Sequence, residues 1–230
     1  EFPIWYRKDK DNYTYSRELN EKLLQNSKNL YIAGCDSYDQ DKSFTSNSNG
    51  SMFVFKRISN VDESGGLFVA QYTDRPETAD EFYYNTILLN LFYRSRVLVE
   101  YTKIGIINYY KNKKFYNLLW EAPKINLPDM KYSRAINKVG YLMSDKHKKF
   151  AIEKYISYIR DNIDKFYFID QVEDHLNFHL ESNEFDRTMA SMLCIIQDNE
   201  LLDSAIIDDS NYALKLPYWQ KDEYGNIVFK

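Results

Sequence analysis

The chain is poor in cysteine, with only Cys35 and Cys194 among its 230 residues. Two are too few for a disulfide framework. Both sit in apolar runs and read as reduced core residues of an intracellular protein. Long apolar runs are missing as well: nothing approaches the roughly 20 residues that span a bilayer. No basic-plus-apolar leader opens the chain, so no secretory signal is expected. The opening "EFPIWYRK" has no methionine, as an excised fragment would not. Glycine is scarce, at seven, and no G-x-x-x-x-G-K-(S/T) string occurs, so no ATP-binding phosphate loop is expected. A basic excess is absent too. A net charge of −4 argues against a protein that coats nucleic acid by charge alone, though not against an enzyme with a basic rim around an acidic, metal-filled centre.

What the chain does have is aromatic bulk: 21 Tyr, 14 Phe and 3 Trp, enough for a large core or a broad contact surface. Its 44% hydrophobic and 28% charged residues fit one sizeable soluble domain. Lysines cluster in "YYKNKKF" (Lys111, Lys113, Lys114) and "DKHKKF" (Lys146, Lys148, Lys149). Each cluster reads either as a solvated helix face or as a phosphate-contacting surface.

The apolar period divides the chain. Residues 1–27 read as a linker or N-terminal arm ending in a short polar helix, "SRELNEKLLQNSKN". "LYIAGCD", "SMFVFKRI" and "GGLFVAQYT" read as three strands with polar connections, an antiparallel meander. "RPETADEFYYNTILLNLFYR" then has Pro76 near a helix start, acids in the first turn, and apolar Phe82, Ile87, Leu88, Leu91 and Phe92 at helical spacing. "RVLVE" is a strand, "KIGIINYYKNKKF" a helix and "YNLLWE" a further strand, an alternation that implies parallel pairing. "SDKHKKFAIEKYISYIRDNID" is a helix with Ser144 as N-cap and Phe150, Ile152, Ile156 and Ile159 apolar. "FYFID" reads as a strand, "QVEDHLNF" as a helical turn and "DRTMASMLCIIQDN" as a helix. The domain is expected over 28–202, with a tail over 203–230.

Three acids fall at element ends. Asp36 closes the first strand, Glu100 the fourth, and Asp186 opens the late helix. Both strands are nearly all apolar, so both are expected to be central and covered on each face. In open α/β sheets, functional groups gather at the carboxyl ends of strands. If these two strands are parallel neighbours, Asp36 and Glu100 lie at one edge, roughly 5 Å apart in the hydrogen-bonding direction. Clustered carboxylates resist ionisation unless a cation joins them, and Mg²⁺ takes carboxylate, phosphate and water oxygens. Taken singly, each acid has an ordinary reading: a turn residue, a solvated acid, an acid on a helix dipole. An EF-hand at "DSYDQD" fails on spacing, since the acids fall at positions 1, 4 and 6 with no glycine. His175 and His179, four apart in "EDHLNFHLE", lack further zinc ligands and read as packing or surface residues.

The strings "GCDSYDQDKS", "LFVAQYTDRPETADEF", "VLVEYTKIGIINYY", "GYLMSDKHKKFAIEKYISYI" and "FDRTMASMLCI", in that order, resemble the C-terminal nuclease domain of the large terminase subunit of tailed bacteriophages. The resemblance covers about residues 30 to 200. It implies an α/β, ribonuclease-H-like mixed sheet, three antiparallel strands followed by parallel strands in the order 3-2-1-4-5, flanked by helices. It also implies a divalent-metal-dependent endonuclease that cuts concatemeric double-stranded viral DNA during packaging, using two Mg²⁺ or Mn²⁺ ions. Carried over, Asp36, Glu100 and Asp186 are catalytic metal ligands, and Asp41 is a possible fourth. Ser144, Lys146, His147 and Lys148 are DNA-backbone contacts. Asp39 has no counterpart and reads as a loop acid. Where the family often has Asp-Asp before Arg, this chain has Phe185-Asp186, which leaves Glu184 as the fallback ligand. Thr102 stands where many members have Asn. The implied partners are duplex DNA and, in the full-length protein, an N-terminal packaging ATPase, the portal and the small terminase subunit. The implied location is the host-cell cytoplasm, with no membrane. Two other readings compete: another ribonuclease-H-like nuclease, such as a Holliday-junction resolvase, and a non-catalytic DNA- or portal-docking domain.

Overall fold

Alternation along four strands builds the centre of the molecule. The computed structural model describes residues 29–39, 49–58, 64–123, 139–179, 185–209, 219–221 and 227–229. The expected arm over residues 1–27, Asp41 and Glu184 lie outside them. Strand β1 (Tyr31–Asp36) pairs antiparallel with β2 (Gly50–Lys56), which pairs antiparallel with β3 (Leu67–Asp74). Helix α1 (Ala79–Tyr93) carries the chain across to β4 (Arg96–Val99), which runs parallel to β1. The fold is thus α/β, with a four-stranded mixed sheet ordered β3-β2-β1-β4 and helices on both faces.

Side chains one apart on a strand point to opposite faces, and the two cores follow from that. Ala33, Cys35, Met52, Val54, Val97 and Val99 pack under α1 and α2 (Ile104–Asn112). Ile32, Phe53, Phe55, Phe68 and Leu98 face α3 (Asp145–Asp161) and α5 (Asp186–Asp209). Helix α4 (Ile169–Asn177) lies beside α5. Among these, Ile32, Ala33, Cys35, Val97, Leu98 and Val99 are fully buried, so β1 and β4 are covered on both faces as their apolar runs required.

Gly34 sets how α5 sits. A Cβ there would lie 2.7 Å from the Cys194 backbone N and 2.8 Å from Leu193 Cβ, and closer still to the Ala190 carbonyl oxygen. The helix therefore rests on the bare backbone of β1. The buried stripes also differ from the apolar spacing in two helices. In α1 the inward face is Ala79, Phe82, Tyr83, Thr86, Ile87 and Asn90, while Leu88, Leu91 and Phe92 are exposed. Thr86 and Asn90 can be buried because both hydrogen-bond to the Tyr110 hydroxyl (3.0 and 2.9 Å), and Asn90 also accepts from Ser95. In α3 the inward residues are His147, Ala151 and Tyr155, with Ile156 exposed.

Three expected features take another form. "YNLLWE" is not a strand: Tyr116–Leu118 form a 3₁₀ turn, and only isolated bridges follow, Leu119 to Val97 and Glu121 to Val139. The backbone groups there are satisfied by local turns, Leu118 N to Phe115 O at 2.9 Å and Leu119 N to Tyr116 O at 3.1 Å, so no full ladder forms beside β4. "FYFID" is not a strand either; it follows a 3₁₀ turn (Ile163–Lys165) and runs into α4. Helix α5 continues past residue 202 to Asp209, and two short strands, β5 (Trp219–Lys221) and β6 (Ile227–Phe229), pair antiparallel after it. No helix among the described residues is long and apolar enough to cross a membrane.

Candidate functional site

The positions of the three acids follow from the same alternation. Cys35 stands opposite Val99 in the parallel β1–β4 pair, so the next residues, Asp36 and Glu100, share one edge. Ile32 and Leu98 face α5. Side chains two or four residues on point the same way, so Asp36, four past Ile32, and Glu100, two past Leu98, share that face. Helix α5 touches Gly34 at Ala190 and Cys194. Two strand residues advance about 6.8 Å, and four helix residues about 6 Å. With α5 antiparallel to β1, its first residue, Asp186, therefore lies over Asp36.

The electrostatics agree. Asp36 is only 9% exposed. Burial, then the charges of Asp186 and Glu100, hold its carboxyl well above the usual carboxylate range, while Lys103 and Lys148 pull it back. The structure thus brings Asp36, Glu100 and Asp186 into one field. Each flanking acid has a local partner. Asp186 Oδ2 accepts from the Asn49 backbone N–H at 2.9 Å, and Glu100 Oε1 accepts from the Thr102 hydroxyl. Thr102 is thus a hydrogen-bond donor to Glu100.

The lysines arrive by two turns. Tyr101 and Tyr141 tie the segment after residue 139 to the end of β4, through Tyr101 N to Tyr141 O (2.9 Å) and Tyr141 N to Val99 O (2.8 Å). Gly140, at φ 86°, permits that approach: a Cβ would lie 3.1 Å from both Tyr101 Cα and Val99 O. From there the chain enters α3 at Asp145, which brings Lys148 within range of Asp36. Lys103 lies in the turn that follows Glu100, its N–H bonded to Glu100 O at 3.2 Å.

Of the residues expected to contact DNA, Lys146 is exposed, and Ser144 and Lys148 are half-buried. His147 is not placed to face phosphate. It is 6% exposed, packs edge-on to Tyr141 and bonds through Nδ1 to Ser144 Oγ at 2.7 Å. Burial lowers its pKa, which opposes a charged role. Ser144 precedes α3 as expected, but its hydroxyl serves that imidazole rather than a backbone N–H.

His175 and His179 do not share a helix face, because α4 ends at Asn177. His175 packs against Tyr155 and Phe166 and bonds to the Tyr155 hydroxyl at 2.7 Å; His179 lies against Phe185. Asp39 is more than a loop acid. Its Oδ1 accepts from Gly105 N at 2.9 Å, which ties the end of β1 to the start of α2. A Cβ at Gly105 would come within 2.5 Å of the Tyr83 hydroxyl and 2.8 Å of Asp39 Oδ1, so any larger residue displaces those two side-chain ends.

The chain matches no known protein family, and no curated protein or solved structure matches it at a significant level. The reading of the site therefore rests on its own chemistry. An all-carboxylate donor set with two nearby lysines suits a hard divalent cation bound together with a phosphate. Among the described residues, however, no group of three or more His, Cys, Asp or Glu side chains is already gathered to hold a metal. The acids share a field without forming a closed ligand cage. Sequence reasoning missed Lys103, Asn49 and Asp39. Lys103 carried a usable signal, a cation three residues past a strand-ending acid; Asn49 acts through its backbone, which no side-chain pattern can show.

Proposed function

We propose that this chain is a ribonuclease-H-like, divalent-metal-dependent endonuclease domain that cuts concatemeric double-stranded viral DNA during genome packaging. The observation that carries the reading is that Asp36 and Glu100 stand at the carboxyl ends of the parallel strands β1 and β4 with Asp186 beside them, and that burial, then the charges of Asp186 and Glu100, holds Asp36 above the usual carboxylate range. The order of motifs along the chain, which resembles the nuclease domain of the large terminase subunit, supplies the substrate. The four-stranded mixed sheet, with three antiparallel strands and a parallel fourth, supports the first part of the order 3-2-1-4-5, and the single bridge from Leu119 to Val97 lies beside β4.

In this reading the three carboxylates would hold Mg²⁺ or Mn²⁺, which would supply an activated water and support for the leaving 3′ oxygen. The rest of the site belongs to the chain. Asn49 and Thr102 orient Asp186 and Glu100. Lys103 and Lys148 offer positive charge to a phosphate beside Asp36, and exposed Lys146 extends it outward. Contacts of that kind position a duplex without reading its sequence, so weak sequence preference is expected. A non-catalytic DNA- or portal-docking domain is the alternative, and one experiment separates the two.

That experiment is cleavage of supercoiled plasmid over a Mn²⁺ series. The 230-residue chain should nick and linearise it, and Asp36→Asn should cut about 1,000-fold more slowly, the loss of roughly 4 kcal/mol of metal-borne stabilisation at about 1.4 kcal/mol per decade. A wild-type chain inert at every Mn²⁺ concentration, or an Asp36→Asn chain as fast as wild type, refutes the nuclease reading. Preference for a four-way junction over linear duplex would move the assignment to a resolvase.

A further inference from the structure

We propose that Asp174, on α4, is a positioning residue for Asp186: it caps the start of α5 from a neighbouring helix and so fixes where the Asp186 carboxylate points. The inference rests on the reading of Asp186 as a site acid.

The start of α5 lacks a cap of its own. The first intrahelical bond runs from Met189 N to Phe185 O at 2.9 Å, which makes Phe185 the N-cap residue. Phe185 has no side-chain acceptor. An N-cap side chain normally takes the N–H of the second or third helical residue. Here the third is Thr188, and Asp174 Oδ2 takes it instead, at 2.9 Å. The same oxygen accepts from Thr188 Oγ1 at 2.7 Å. Thr188 is 3% exposed and the Asp174 side chain 10%, so the pair is shielded from water.

Two further sets of contacts hold Asp174 over that helix end. Arg187, one residue after Asp186, lies 3.9 Å from Asp174 Oδ1 and 3.6 Å from Asp170 Oδ2. Deeper in, Gln171 Nε2 bonds to Ser191 Oγ at 2.8 Å, and that hydroxyl donates to Arg187 O. Helix α4 therefore meets the first turn and a half of α5 through buried Gln171, half-buried Asp174 and exposed Asp170. Asp186 is the first residue of that turn, two before Thr188. A helix end left uncapped frays over its first turn. Fraying would let Asp186 leave Asn49, whose backbone N–H donates to its Oδ2. Asn49 thus holds the Asp186 carboxylate directly, and Asp174 acts on it through the start of α5.

The test uses the full 230-residue chain and two readouts. Amide hydrogen exchange is followed at Thr188 and Asn49, and Mn²⁺ affinity is measured by titration calorimetry. Asp174→Ala should raise exchange at Thr188, and also at Asn49 by about tenfold or more, because release of the α5 start frees the acceptor of the Asn49 N–H. Mn²⁺ should bind about 10- to 100-fold more weakly, the usual effect of losing a residue that orients a ligand. Asp174→Asn keeps an acceptor for Thr188 and should recover most of both, which also covers the case in which the alanine variant folds poorly. Faster exchange at Thr188 with Asn49 and Mn²⁺ affinity unchanged would reduce Asp174 to a structural cap and overturn the proposal. If the wild-type chain binds no Mn²⁺, the metal-site reading fails, and exchange at Asn49 alone decides whether Asp174 positions Asp186.

Discussion

Gly34→Ala tests the seat of α5 on β1, from which the position of Asp186 follows. The added Cβ would lie 2.7 Å from Cys194 N and 2.8 Å from Leu193 Cβ, and nearer still to Ala190 O. Two of these are backbone atoms of a helix packed on both β1 and β2, so no side-chain rotation relieves them; the whole helix has to move. Overpacking of this kind costs about 3 kcal/mol, the upper part of its usual range. Against it, replacing glycine stiffens the unfolded chain, a gain of about 0.7 kcal/mol. The net loss is about 2 kcal/mol. For a chain of this size that lowers the Tm by roughly 4–8 °C. With a urea m-value of about 2 kcal/mol/M, it moves the unfolding midpoint by about 1 M. Urea unfolding followed by tryptophan fluorescence reads it directly. An unchanged midpoint, or a more stable variant, would mean that α5 does not lie on the bare strand and that the route from Gly34 to Asp186 is wrong.

Two pH-dependent outcomes also follow. In metal-free buffer, Asp36→Asn should be more stable than wild type at pH 8, with the difference shrinking towards pH 4. A carboxyl whose folded pKa is raised contributes stability below its unfolded pKa and loses it as pH rises through the folded value, and Asn has no proton to lose. Equal or lower stability of Asp36→Asn at pH 8, measured by urea unfolding, would contradict the burial and crowding of that acid. His175 runs the other way. Burial lowers it from 6.5 to about 4, so its contribution is intact above pH 6.5 and is lost as pH falls towards 4. That span is worth about 3 kcal/mol at roughly 1.4 kcal/mol per pH unit. His175→Gln, whose amide can still hydrogen-bond the Tyr155 hydroxyl, should show a correspondingly flatter loss of stability between pH 7 and 4; parallel curves for the two proteins would refute it.

How much of this was legible in the sequence depends on the range of the interaction. The strand ends at Asp36 and Glu100 and the start of α5 at Asp186 were written locally, in apolar runs that stop at an acid. The parallel β1–β4 pair followed from the helix between β3 and β4. "YNLLWE" has the composition of a strand, but its turns satisfy its backbone locally and only isolated bridges join it to Val97 and Val139. In α1, the apolar residues Leu88, Leu91 and Phe92 suggested an inner face that Thr86 and Asn90 occupy instead. Their partners, Tyr110 and Ser95, lie on other elements, so no periodicity reveals the swap. His147 misled for the same reason: a basic run puts it at the surface, and a single bond to Ser144 with packing on Tyr141 turns it inward.

The arrangement of the acids carries a consequence of its own. A buried carboxylate with two like charges nearby costs stability, and most folds avoid it. Here several contacts hold the cost in place rather than relieve it. Gly34 lets α5 come close enough to bring Asp186 over Asp36. Asp39 ties the end of β1 to the start of α2, just past the turn that carries Glu100. Two lysines lower the repulsion without entering a salt bridge with Asp36 among the described ion pairs. Were the acids merely surplus charge, a small residue at position 36 and a looser α5 would serve the fold better. Contacts from β1, α2 and α5 that hold like charges together make sense when something positively charged is meant to complete them, and that is the strongest physical argument for a cation at this site.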